Sequence, residues 1–345
     1  FQESGEHFDA SNLDTAYQDI GVTLGGPIVR DKVWFFASYE YINSEFTPIE
    51  SPTTRDWEGQ NYLGKVTWQV SPSWRLMGKF SGNPADIYNQ SASRFREPEA
   101  TDYQKQGSDI LTAEINGVLS DDLLWNLTIG SYASVLDTIP MSGDLQTIGH
   151  ANGTTGLLSG NYGNQQYSDR NRSEIGTNLT WFVNDLAGSH EFKGGLEYAV
   201  LDFDASNCST GTPNGEVCLP GVPGHFFNDI DFGGEPIPWL MGENVSGGQQ
   251  VYEGVLSTVY LQDSWRMVPN LTVKLGVRYD NIAYDNNLGS QIADLTKFQP
   301  RLGAAWDVTN DAKNVVRLNA GRFMHPNALV LPYQVRDTDE PSYNW

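Results

Sequence analysis

The side chains that could do chemistry are few: five histidines, two cysteines and scattered carboxylates. His7, His150, His225 and His325 fall in or beside turn-rich stretches, and His190 sits at a short turn. None has the spacing of an HExxH metal site. A lipase-like mechanism needs a histidine and a serine on neighbouring strands near a lipid boundary, and only His325 loosely fits. No glycine motif precedes a helix in a way that would cradle a phosphate or a dinucleotide. The residues call for no cofactor and no catalytic centre.

Three features gather in and beside residues 204–249. Cys208 and Cys218 lie close together in a Gly/Pro/Asn-rich stretch. A disulfide there fits an oxidising compartment; two free loop thiols are the alternative. Asp202, Asp204, Asp229 and Asp231 flank the cysteines. Calcium wants several converging oxygens, so these four are weak candidates for a calcium site, set against plain solvated carboxylates. Phe226, Phe227, Phe232 and Trp239 stand among glycines and prolines. Aromatics on a long loop suit capture of a small molecule, a peptide or a glycan. They could equally pack the loop on itself.

The net charge of −22 over 345 residues argues against a nucleic-acid partner, which would need a basic face. Mean hydropathy is −0.42, and no run of about 18 apolar residues is present. That excludes membrane-spanning helices but not spanning strands, whose alternation dilutes hydropathy.

The elements that must position these groups are strands. Leu271, Val273, Leu275, Val277 and Tyr279 alternate with Thr272, Lys274, Gly276, Arg278 and Asp280, a period of two with one apolar and one polar face. The segment ending at Trp265 reads as its hairpin partner, across Met267–Asn270. Similar pairs are expected at 16–26 and 32–42, 58–70 and 73–81, 107–119 and 122–136, 171–183 and 190–203, and 297–308 and 313–324. That gives about twelve strands. Short turns alternate with long connections at 43–56, 82–106, 137–170, 204–249 and 286–296. Sorting loop length by end is a property of outer-membrane barrels.

Tryptophan adds an independent signal. Trp34, Trp68, Trp74, Trp125, Trp181, Trp265 and Trp306 all lie within a few residues of a short turn. They are expected to form one aromatic girdle at a membrane interface, since indole is apolar in body and polar at its N–H. Leu123, Trp125, Leu127, Ile129 and Ala133 are assigned to lipid, as are Leu179, Trp181, Leu196, Tyr198, Leu302 and Trp306. Their alternates, including Lys65, Arg75, Asn126, Asn178, Glu197 and Arg278, are assigned to a wet bore. Two positions resist this scheme: Glu253 and Asp263 fall on the apolar face of strand 250–267. Pro300 is awkward mid-strand, because it cannot donate a ladder hydrogen bond.

Four phrases carry a resemblance. Leu24-Gly25-Gly26-Pro27-Ile28-Val29-Arg30-Asp31-Lys32-Val33-Trp34-Phe35-Phe36, Tyr260-Leu261-Gln262-Asp263-Ser264-Trp265, Leu275-Gly276-Val277-Arg278-Tyr279-Asp280 and Pro300-Arg301-Leu302-Gly303-Ala304-Ala305-Trp306-Asp307 together resemble TonB-dependent outer-membrane receptors, of the Oar-like branch. The resemblance runs through nearly all the strands and none of the loops. It implies an all-β, antiparallel up-and-down transmembrane barrel of 22 strands, of which this chain supplies about twelve. The plug, and the segment that contacts the TonB energy complex, are expected outside this chain. Both ends look cut, since Phe1 is not preceded by Met and Trp345 completes no strand. The resemblance further implies residence in a bacterial outer membrane among lipid and lipopolysaccharide, with a surface lipoprotein as a conceivable partner. Two other readings compete: a stand-alone twelve-stranded pore or barrel enzyme, and a soluble all-β glycan-binding protein.

Overall fold

The computed structural model describes residues 15–208, 210–211, 223–232, 235–245, 250–286 and 291–324. Twelve long strands follow one another as an antiparallel meander. The first four are β1 (Thr15–Val29), β2 (Val33–Phe46), β3 (Arg55–Ser71) and β4 (Trp74–Gly82). A short β5 (Ala85–Tyr88) bridges the upper ends of β3 and of the next long strand in sequence. The meander continues through β6 (Asp102–Ser120), β7 (Leu123–Pro140), β10 (Gln165–Val183) and β11 (Ser189–Cys208). It finishes with β14 (Gln250–Val268), β15 (Leu271–Asn286), β16 (Gln291–Asp307) and β17 (Val315–Gly321). Among the described residues β1 and β17 end the path and do not pair with each other, so the sheet is open.

A second sheet has four strands in the order β13-β12-β8-β9: β8 (Gly149–Asn152), β9 (Leu158–Ser159), β12 (Pro223–Phe232) and β13 (Glu235–Val245). The stretches 82–106, 137–170 and 204–249, expected as loops, therefore hold strands of their own. Neighbouring strands also run several residues into them. These stretches keep no strict two-residue period, so nothing in their polarity announces a strand.

The six hairpin turns at one edge are short. In the turn 184–188, Asp185 and Ala187 take left-handed backbone at φ 65° and 54°, and Gly188 has φ 117°. A side chain at Gly188 would collide with the carbonyl oxygen of Arg266. Pro300 is accommodated because β17 stops opposite Arg301. The Pro300 carbonyl accepts from Arg322 N–H at 3.0 Å, and its missing donor falls where the ladder has ended.

The two faces of the large sheet change character along the strands. On β15, Leu275, Val277 and Tyr279 are exposed on the outer face, while Ile282 and Tyr284 are buried on the inner one. On β11, Leu196 and Tyr198 are outer and exposed, whereas Leu201, Phe203 and Ala205 are inner and buried. Asp202 and Asp204 take over the outer face at that point. The apolar side thus crosses from outside to inside near residue 200, and the inner packing core, Phe203 with Ala205 and Tyr252, lies above the crossing. The same inversion explains Glu253, which belongs to the outer face above that level, directly opposite Asp202.

Candidate functional site

On the outer face, the register puts Trp68 level with Leu76, Trp74 with Gly117, Gly117 with Trp125, and Trp125 with Leu179. Trp181 faces Phe192, Trp265 faces Val273, and Trp306 faces Leu271. Directly paired residues share a face, so these six indoles lie on the same side as the exposed leucines. Each is within three residues of a strand end at the short-turn edge. Trp74 and Trp125 meet edge-on, with ring centres 5.9 Å apart. Trp34 departs from the expected single ring. It pairs with Thr67, while its neighbour Val33 pairs with Trp68, so its indole belongs to the inner face. A further aromatic level, not anticipated from the sequence, runs higher on the outer face through Tyr39 paired with Tyr62, and Tyr279 paired with Phe298.

Asp263, anomalous on an apolar face, has a partner. His190 Nδ1 lies 2.8 Å from Asp263 Oδ2 and Nε2 lies 2.9 Å from the Leu186 carbonyl oxygen. Both ring nitrogens lie within hydrogen-bond distance of an acceptor oxygen, which fixes the orientation of the ring. Phe192 and Trp265 stack on it at 5.2 and 5.3 Å.

The inner face carries a continuous polar line. Arg75 pairs with Asn116, Asn116 with Asn126, and Asn126 with Asn178. Beyond Gly195 the line continues through Tyr260, Arg278 and Gln299. Asn126 Nδ2 donates to Asn116 Oδ1 at 2.9 Å, and Asn178 Nδ2 to Asn126 Oδ1 at 3.2 Å. Arg278 donates to Glu197 and to Asp280, each at 2.8 Å. Asp280 also accepts from Thr258 at 2.6 Å and from Gln299. The Arg278 guanidinium is thereby held between two carboxylates within the wall.

The expected ligand-binding aromatics are strand residues. Phe226, Phe227 and Phe232 lie on β12 and Trp239 on β13. Phe227 packs on His150 at 4.9 Å. Phe232 and Trp239 are each 73% exposed, and Trp239 is the extra residue of a bulge between the pairs Asn228–Leu240 and Asp229–Pro238. β13 is an edge strand that carries Pro236 and Pro238.

The four candidate aspartates divide between the two sheets. Asp202 and Asp204 belong to β11. Asp229 meets His150 Nδ1 at 3.0 Å, and Asp231 accepts from Asn152 Nδ2 at 2.8 Å. Among the described residues no group of three or more metal-ligating side chains forms. Cys218, His7 and His325 lie outside the described residues. His225 Nδ1 donates to the Gly211 carbonyl oxygen at 2.9 Å.

Loop electrostatics are local. Asp144 accepts from the Thr147 hydroxyl at 2.5 Å and from the amides of Gln146 and Thr147 at 2.8 and 3.1 Å, which holds its carboxyl below the usual value. Burial, reinforced by the Asp102 carboxylate, pushes the Tyr162 phenol up, with Arg96 opposing.

A family model described as "TonB dependent receptor-like, beta-barrel" matches residues 34–343. The chain belongs to this family. A TonB-dependent transporter from Myxococcus xanthus, Oar, is 23% identical over 99% of this chain and 40% of its own length. Among solved structures, the outer membrane transporter YddB from Escherichia coli superposes with a TM-score of 0.62 at 16% identity, over 90% of this chain and 38% of that one. BauA, the ferric preacinetobactin receptor of Acinetobacter baumannii, superposes with a TM-score of 0.63 at 12% identity, over 89% and 46%. The chain therefore spans less than half the length of these relatives. The two structures share its fold, an antiparallel barrel wall with inner and outer faces, and the matched proteins are transporters and receptors.

Proposed function

We propose that this chain is about half of the barrel wall of an outer-membrane TonB-dependent transporter. A ligand is bound on the long-loop side and drawn inward with energy from the TonB complex, which acts through a segment outside this chain. One observation carries the reading: the outer face is apolar between the tryptophan level and the crossing near residue 200, and over the same interval the inner face is mainly polar, Trp34 and Phe36 on β2 being exceptions. From Leu271 to Tyr279 that interval is nine residues, the length of a tilted strand that crosses a bilayer, about 9–11 residues.

In this reading the outward indoles mark the boundary with lipid on the short-turn side, and the carboxylates above the crossing stand among the headgroups and water. Phe232 and Trp239, exposed on the four-stranded sheet, are the side chains we assign to first contact with a small-molecule, peptide or glycan ligand. A Cys208–Cys218 disulfide would tie the connection that leads to that sheet. The test is site-specific crosslinking of the full-length protein to TonB, with fractionation of the outer membrane. Recovery in that membrane together with a TonB crosslink supports the reading. Recovery in a soluble fraction overturns it.

A further inference from the structure

The β12–β13 hairpin has one side taken and one side bare. On the first side, His150 of β8 packs on Phe227 at 4.9 Å and meets Asp229 at 3.0 Å, and Asn152 donates to Asp231 at 2.8 Å. The Asp229 carbonyl oxygen also accepts from the Gly153 amide at 2.9 Å, so the hairpin is anchored to the preceding connection. On the other side, Phe232 pairs with Glu235, Ile230 with Ile237, and Asn228 with Leu240. Directly paired residues share a face, which makes Phe232, Ile237 and Leu240 one strip. All three are exposed, and Trp239 stands exposed beside them at the bulge. From Glu235 to Leu240 the strip runs about 16 Å, at roughly 3.3 Å per residue.

The charge around the strip points to its occupant. No lysine or arginine occurs from residue 106 to 169 or from 194 to 265, so the four-stranded sheet contains none. Its two longer strands carry Asp229, Asp231, Glu235 and Glu243. The connection 82–106 is tied to β9 by the Glu97 amide, which donates to the Leu158 carbonyl oxygen at 2.9 Å. Its basic side chains are already engaged. Arg94 meets Glu50 at 3.1 Å, Arg96 donates to the Ala100 carbonyl oxygen at 2.7 Å, and Lys105 stands between Asp86 and Asp137 in the register. An anionic chelate would meet like charge here. A glycan needs hydrogen-bonding groups beside a ring, and Ile237 and Leu240 supply none. Apolar side chains interspersed with positive ones match both the strip and its surroundings.

We propose that this strip is a docking face for short peptides that combine apolar and basic side chains. The proposal rests on the transporter reading and names the ligand class of the side chains assigned there to first contact. It is tested by fluorescence anisotropy on the full-length receptor in zwitterionic lipid vesicles, with receptor-free vesicles subtracted. Three labelled hexapeptides are compared: leucine alternating with lysine, leucine alternating with glutamate, and hexalysine. Maltoheptaose serves as competitor. The leucine–lysine peptide is expected to bind about tenfold more tightly than the other two and to resist displacement by maltoheptaose. Trp239→Ala and Phe232→Ala should each weaken it about tenfold, and Glu235→Gln about threefold. Heat-modifiability on gels checks that these exposed-site variants fold. Equal binding of the glutamate peptide or of hexalysine, displacement by maltoheptaose, or wild-type affinity in the tryptophan variant each overturns the docking face. So does another occupant: self-association of the receptor that Trp239→Ala abolishes, or strong quenching of Trp239 by brominated lipid. Absence of the TonB crosslink counts against the transporter reading instead, and peptide binding is scored whether or not that crosslink forms.

Discussion

His190 on β11 reaches diagonally to Asp263 on β14, 2.8 Å away, on the side of the sheet otherwise given to leucine and tryptophan. The His190 and Asp263 side chains are 10% and 15% exposed. Removing one partner therefore leaves a charge facing apolar surroundings. We expect His190→Ala to destabilise the folded receptor, because the Asp263 carboxyl then loses its only ring partner. Adding Asp263→Asn should recover part of the loss. Urea unfolding of the full-length protein in lipid vesicles, run as a double-mutant cycle, measures the coupling. Simple addition of the two effects would mean that the pair contributes nothing.

The short turn before β11 depends on glycine. Gly188 is at φ 117° and its Cβ position is occupied by a backbone oxygen. Gly188→Ala should cost about 1–3 kcal/mol and slow assembly in the membrane. An equivalent change at Gly26, where an added Cβ meets nothing within 4 Å, should be close to neutral. Heat-modifiability on gels compares the two directly.

Single-tryptophan variants of the full-length receptor separate the indoles by face. In vesicles of brominated lipid, Trp68, Trp181 and Trp306 should be strongly quenched and Trp34 should not. Quenching of Trp34 equal to that of Trp68 would place both on one side and contradict the register.

Asp144 caps its own loop through three hydrogen bonds. Its carboxyl titrates below its ordinary 3.8, chiefly because of the Thr147 hydroxyl. A depressed carboxylate stabilises above the ordinary value, and that contribution is lost as pH falls through the folded value. The Gln146 and Thr147 amides should therefore stay protected against hydrogen exchange above about pH 4 and lose protection below it. In Asp144→Ala they should be unprotected throughout.

Much of the wall was legible because lipid imposes a strict rule on every second residue. Leu271 to Tyr279 obey it without exception, and their register follows. Trp34 joins the girdle on its distance from a turn alone, and the register corrects its face; polarity gives no warning, because Val33-Trp34-Phe35-Phe36 is apolar on both faces. Asp263 stood out as an anomaly, but its partner lies 73 residues away, and no local pattern reports a contact at that separation. The inversion near Leu201 reads as broken periodicity until the buried cluster of Phe203, Ala205 and Tyr252 shows that the apolar side has changed faces. The strands β8, β12 and β13 left no periodic trace. Asn126 and Asn178 are legible as polar alternates, Asn116 is not singled out, and only the cross-strand register joins the three into one line.

Crowding gives the two prolines of β13 their significance. Receptors pressed side by side in a membrane risk zipping together through any bare strand edge, and a peptide caught at such an edge could become permanently attached. Pro236 and Pro238 have no amide hydrogen to offer a newcomer, so beside Trp239 that margin is a poor template for another backbone.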